Sequence, residues 1–187
     1  MIVNNRTNTD VCRKNRTIKI EKTNILSESD KIRVSGFETV LFNKQLTKII
    51  HCPIIAKGNY SIPDSVFSIG IEAFSQCKEL TSIKIPMTLK AIGCMAFENC
   101  CSLTSVTLPA SVEEVGFRCF SNCKNLKSIY IQGKSPIKLG NNSDVFNKVD
   151  KTNCILYVPI GSRIHFMHAL QWKEFNNIVE IEYFYHL

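Results

Sequence analysis

Nine cysteines and four histidines are the side chains in this 187-residue chain best suited to hold a metal, form disulfides or act as nucleophiles. Three of them, Cys77, Cys100 and Cys123, recur at intervals of 23 residues. If that interval is one turn of a repeating structure, the thiols stack about 5 Å apart, within the Cα range of a disulfide. Stacked residues share one Cβ direction, which disfavours bridging, and a Cys in an otherwise apolar column is a small buried hydrophobe with a weak S–H donor. Buried free thiols are the expectation, with a disulfide or a metal as the weaker alternatives. Cys100 and Cys101 cannot both face inward, so Cys101 is the more reactive candidate. No Cys-x-x-Cys occurs. His165 and His168 sit three apart on an expected helix with no carboxylate or Cys at ligand spacing beside them, so they read as exposed. All four histidines (51, 165, 168 and 186) fall outside the repeat rows, which leaves no base beside a repeat cysteine. Neither a Gly-rich phosphate loop nor a Ser-centred elbow is present. These residues predict no enzyme, with no catalytic, cofactor-binding or metal-ligating set and no cofactor.

What must position the cysteine column is the repeat itself. Rows of 23 align Ile62-Pro63 with Ile85-Pro86 and Leu108-Pro109, Gly70 with Gly93 and Gly116, and Phe74 with Phe97 and Phe120. They also align Leu80, Leu103 and Leu126, Ser82, Ser105 and Ser128, and Ile83, Val106 and Ile129. Self-similarity at that period is the signature of a solenoid. In each row, Leu-x-x-Ile-x-Ile-Pro alternates apolar and polar residues, so it predicts a short strand with one face inward, and the Pro, which has no N–H for a ladder, ends it. The Gly column needs either positive φ or a close backbone approach. The stretch Met95-Ala96-Phe97 to Leu103 suits one or two short helical turns.

The strand signature extends to Ile18-Lys19-Ile20, Tyr60-Ser61-Ile62 and Leu156-Tyr157-Val158-Pro159, predicting six rungs and a sheet roughly 25 to 30 Å wide. Val40-Leu41-Phe42, a polar Asn43-Lys44-Gln45 and Lys48-Ile49-Ile50 read as a β-hairpin inserted in one coil. After Pro159, Gly161-Ser162 offers a helix N-cap, and Ile164, Met167, Ala169 and Leu170 give that helix an apolar face, followed by Trp172, Phe175 and Ile178. An atypical aromatic terminal unit is what a solenoid requires to cover its interior. The expected organisation is one continuous solenoid: 1–35 an N-terminal coil or cap, 36–63 a hairpin-bearing repeat, 64–131 three regular repeats, and 132–187 the last coil and C-terminal cap. The fold class is α+β, with parallel strands on one face of a right-handed superhelix, an inserted hairpin and a helical cap.

Composition narrows the function classes. With 44% apolar residues and no run of about 18 to 20 apolar residues, neither a disordered chain nor one inserted in a membrane is expected. The excess of 23 Lys+Arg over 16 Asp+Glu lies almost wholly in residues 1–60, which hold 11 basic and 5 acidic side chains, and Arg6, Arg13, Lys14, Arg16, Lys19 and Lys22 are spread without interleaved aromatics, so nucleic-acid binding is not expected. The sequence as given opens Met1-Ile2-Val3-Asn4-Asn5-Arg6 and develops no apolar signal segment.

The pattern Ile69-Gly70-x-x-Ala73-Phe74-x-x-Cys77-x-x-Leu80-x-x-Ile83-x-Ile85-Pro86 resembles the 23-residue BspA-type (Treponema pallidum-type) leucine-rich repeat. Val40 to Pro63 is similar to the hairpin-bearing coil frequent in that family. Leu156-Tyr157-Val158-Pro159-x-Gly161-Ser162 with Trp172-Lys173-x-Phe175-x-Asn177-Ile178-Val179-Glu180 resembles its C-terminal cap in Bacteroidetes surface proteins. The resemblance implies a noncatalytic, adhesin-like binding module at the cell surface or secreted, with a protein of the host or of a bacterial surface, or a glycan, as partner. The missing signal leaves a cytoplasmic location, and with it an intracellular interaction scaffold, as the alternative. The terminal fragment of a longer structural solenoid is another.

Inward columns are dictated by packing, so outward strand positions carry the functional information. The candidate binding face comprises Lys19, Ser61, Ser82, Lys84, Ser105, Thr107, Ser128, Tyr130 and Tyr157, with Tyr130 and Tyr157 as anchors because Tyr supplies rigid amphipathic contact area.

Overall fold

The computed structural model describes residues 40–140 and 144–182. The expected 18–20 strand, the 1–35 segment and Lys19 lie outside them. Each coil contributes one strand to each of two sheets. The broad sheet holds β3 (Lys57–Ser61), β5 (Glu79–Lys84), β7 (Ser105–Leu108), β9 (Ser128–Ile131), β11 (Ile155–Pro159) and β12 (Asn177–Ile181), all parallel, in that spatial order. The narrow sheet orders β1 (Leu41–Phe42), β2 (Lys48–His51), β4 (Ser68–Ile69), β6 (Ala91–Ile92), β8 (Glu114–Val115) and β10 (Lys138–Leu139). Its first two strands pair antiparallel, with Leu41 opposite His51, and the rest are parallel.

The expected helical turns are absent. Residues 71–77, 94–100 and 117–123 instead form a third wall in which two residues four positions apart take positive φ: Glu72 and Gln76, Met95 and Asn99, Arg118 and Asn122. Alternate N–H groups of this wall lie along the solenoid axis and donate to the next coil. Phe74 N donates to Ala96 O at 2.7 Å, Phe97 N to Cys119 O at 2.9 Å and Asn99 N to Ser121 O at 2.9 Å. A helix would satisfy those groups along the chain; this wall satisfies them between coils, which ties each coil to the next on three sides.

The glycine column settles on close approach. A Cβ on Gly93 would lie 2.7 Å from the backbone of Gly70 and Ile71, and one on Gly116 would lie 2.5 Å from Cys94 N, with no positive φ at either. Between the walls runs a spine of rings. Phe74, Phe97, Phe120 and Phe146 stack with centroids 5.1, 5.3 and 5.8 Å apart, Tyr60 adjoins Phe74, and Trp172 and Phe175 adjoin Phe146.

The C-terminal unit departs from expectation. Little helix is present among the described residues: α1 spans Arg163–His168, and a single 3-10 turn spans Trp172–Glu174. The architecture is therefore a β-solenoid of about six turns rather than an α+β fold. In α1 only Phe166 is buried; Ile164 and Met167, expected to face inward, are exposed, as is Leu170 beyond it. The short helix is held by Phe166 and by Trp172, whose Nε1 donates to Ile137 O at 3.1 Å. Ser162 occupies the N-cap position, but its hydroxyl donates to Pro159 O, and Glu180 Oε1 accepts from Arg163 N instead. Ile178, expected in the cap, lies in β12, which extends the sheet by a strand. No helix among the described residues is long and apolar enough to cross a membrane.

Candidate functional site

The thiols are the groups of this chain best suited to chemistry. Cys77, Cys100 and Cys123 are free and buried, one below another in the core. Their Sγ atoms donate to Pro53 O at 3.5 Å, Phe74 O at 3.2 Å and Phe97 O at 3.2 Å, so each thiol satisfies a carbonyl of the preceding coil. Burial pushes Cys123 up to about 12 and Cys100 higher still, which suppresses the nucleophilic thiolate. Cys101 is half-buried, with Sγ 3.6 Å from Asn122 O. Labelling of the native protein with an aromatic disulfide is expected to modify Cys101 well before Cys77, Cys100 and Cys123, which should react only after denaturation. Equal native labelling rates, read by mass spectrometry, would contradict this packing. His165 and His168 are exposed on α1.

The exposed face of the broad sheet is built by two files of side chains running across the strands. One runs Asn59, Ser82, Ser105, Ser128, Ile155, Asn177, each beside the next in register. The other begins at Ser61 and Lys84, which are paired in register, and runs through Thr107, Tyr130, Tyr157 and Val179. The 23-residue period sets Lys84 beside Thr107. Ser61 and Lys84 are exposed, and Ser82, Ser105, Thr107, Ser128, Tyr130 and Tyr157 are half-buried. All eight described candidates therefore share one face, as strand alternation requires.

The structure distinguishes the files. In the first, Asn59 Oδ1 accepts from Ser82 Oγ at 2.8 Å and from Thr81 Oγ1 at 3.1 Å, so that end of the file satisfies itself. In the second, the Tyr130 and Tyr157 rings stack with centroids 4.6 Å apart at 8°. Thr107 and Val179 flank the pair in register, so the ring edges and phenol hydroxyls are what project from the face. Ile155 and the 40% exposed Val179 complete an apolar end of the face that sequence reasoning missed. The available signal was the interval of 22 between Leu156 and Ile178, one further row of the repeat.

A family model for the BspA type leucine rich repeat region matches residues 56–157 in six copies. No curated protein matches the chain. Among solved structures, a leucine-rich repeat protein of T. pallidum is 30% identical, with 55% of this chain and 46% of that one covered and a TM-score of 0.46. A leucine-rich repeat protein from Eubacterium ventriosum is 21% identical, with 70% and 34% covered and a TM-score of 0.53. The pneumococcal vaccine antigen PcpA is 19% identical, with 83% and 48% covered and a TM-score of 0.51. The last two share the fold, and this chain spans less than half the length of each of the three. The repeat rows, the stacked walls and the matched model agree: the chain belongs to the BspA-type leucine-rich-repeat family.

Proposed function

We propose that this chain is a noncatalytic protein-binding module, displayed at or beyond the cell surface, that engages its partner through the exposed face of the broad sheet. The observation that supports the reading is the Tyr130–Tyr157 pair. Two aromatic side chains stand stacked between small polar residues on one side and Ile155 and Val179 on the other, with neither phenol hydroxyl hydrogen-bonded among the described residues. Rigid aromatics of this kind, ordered before binding, act as interface anchors with little loss of conformational entropy. The surface location is the one the family resemblance implies.

A photo-crosslinking residue at Thr107 should capture a partner that one at Lys90, on the narrow-sheet side, does not. Affinity for the captured partner should fall by about 30-fold or more in Tyr130→Ala and Tyr157→Ala, the loss of about 2 kcal/mol typical of an anchor. Capture from Lys90 with none from Thr107 would move the interface off this face, and recovery of the native protein solely in a cytosolic fraction would remove the surface assignment.

A further inference from the structure

The second file changes character from one end to the other: Ser61 and Lys84, then Thr107, then Tyr130, Tyr157 and Val179. Lys84 is its one charged member among the described residues. It is exposed at the end of β5, and no ion pair among the described residues includes it, whereas Lys90 is paired with Glu113 and Lys151 with Glu174. The file therefore presents an unneutralised ammonium at one end and an apolar aromatic surface at the other. Strand spacing sets the distance between them. At about 4.8 Å per parallel strand, Lys84 stands roughly 10 Å from Tyr130 and roughly 14 Å from Tyr157.

We infer that this file recognises an extended peptide segment, laid across the strands, that places an apolar side chain on Tyr130, Tyr157 and Val179 and an Asp or Glu on Lys84, three or four residues away. The inference rests on the broad-sheet reading above and adds the chemistry of the partner. In a β-extended segment residues four apart share a face and lie about 13 Å apart, and in a polyproline II segment residues three apart do so at about 9 Å, so three or four residues cover the 10 to 14 Å between the two ends. The residues between them pass Thr107, whose hydroxyl makes no side-chain hydrogen bond among the described residues and can pair with a peptide group of the segment. The neighbouring file does not compete for a polar ligand at the same end, because Asn59, Thr81 and Ser82 already bond one another. Charge complementarity sets register here and apolar burial supplies affinity, the usual division between rim charges and anchors.

The probe is a set of synthetic ten-residue peptides in a Gly-Ser background, each with one Leu and one Asp separated by one to seven positions. They are titrated into the isotopically labelled full chain while its amide resonances are followed. Peptides with Asp three or four positions from Leu should bind at least tenfold tighter than those at one or seven. Their shifts should fall on β5, β7, β9 and β11. Lys84→Glu should abolish that preference and transfer it to the matching Lys-containing peptides, while leaving the urea midpoint unchanged because the site is exposed. Raising the salt concentration should weaken the preferred peptides and leave the Leu-only control unaffected.

Binding that depends on Tyr130 and Tyr157 but ignores the position of Asp, or survives Lys84→Glu unchanged, overturns the peptide chemistry and leaves the face intact. Peptide shifts confined to other surfaces, or no binding by any peptide, also overturn it. Only crosslinks that avoid Thr107 overturn the face itself.

Discussion

Phe97→Ala is expected to lower the unfolding free energy by about 3 to 5 kcal/mol, the usual result of emptying an aromatic core position. Phe97 is fully buried and lies between two parallel rings, 5.1 Å from Phe74 and 5.3 Å from Phe120. Because a coil packs only on its neighbours, one ring serves two interfaces, and its removal weakens both at once. For a chain whose whole stability is of the order of 5 to 15 kcal/mol, the urea midpoint should fall by about a fifth or more. Tyr130→Ala provides the contrast. Its side chain points outward, yet it loses the stack with Tyr157 at 4.6 Å, so a change of about 1 kcal/mol is expected, larger than for an isolated surface position. Equal destabilisation of the two variants would place the strand register one residue out, since such a slip exchanges the faces.

Gly93→Ala should be comparably damaging for a different reason. The added Cβ would meet Gly70 C and O and Ile71 N at 2.7 Å, all of them backbone atoms that no rotamer change can move. The coils would have to separate where Gly93 N donates to Ile69 O at 2.9 Å and where β4, β6 and β8 pair through two residues each. A loss of about 3 kcal/mol follows from overpacking of this kind. Gly133→Ala has the opposite expectation. There the new Cβ finds nothing nearer than 3.7 Å and the backbone φ is not positive, so the narrower unfolded ensemble should raise stability by about 0.4 to 1 kcal/mol. Thermal melts of the two variants that shift in the same direction would refute the close-approach account of the glycine column.

The inward columns were legible in the sequence because each is a local pattern repeated in step. Leu80, Ile83 and Ile85 alternate with polar residues over six positions, Pro86 ends the strand, and the next row repeats the pattern. The same alternation puts Ser82, Lys84, Thr107, Tyr130 and Tyr157 on one outward face. Where the period changed, the reading weakened. Phe146 follows Phe120 by 26 residues rather than 23, and its place in the aromatic spine emerged only from the stacking.

Three features were decided by tertiary structure. The narrow sheet consists mostly of two-residue strands, too short to show a period of two, and Ala91–Ile92 is a strand because Ser68–Ile69 and Glu114–Val115 lie on either side of it. The third wall looked helical because its apolar spacing fits a helix. Its N–H groups bond to carbonyls 22 residues away, as Phe97 does to Cys119, and that choice of partner exists only once the coils are stacked. Between the two outward files, composition alone could not say which was free to bind. The hydrogen bonds from Thr81 and Ser82 to Asn59, and the ring stack of Tyr130 on Tyr157, join residues 22 to 27 positions apart. A sequence determines which way a side chain faces through the geometry of its own strand; whether that side chain still has an unsatisfied group to offer depends on its neighbour in the next coil.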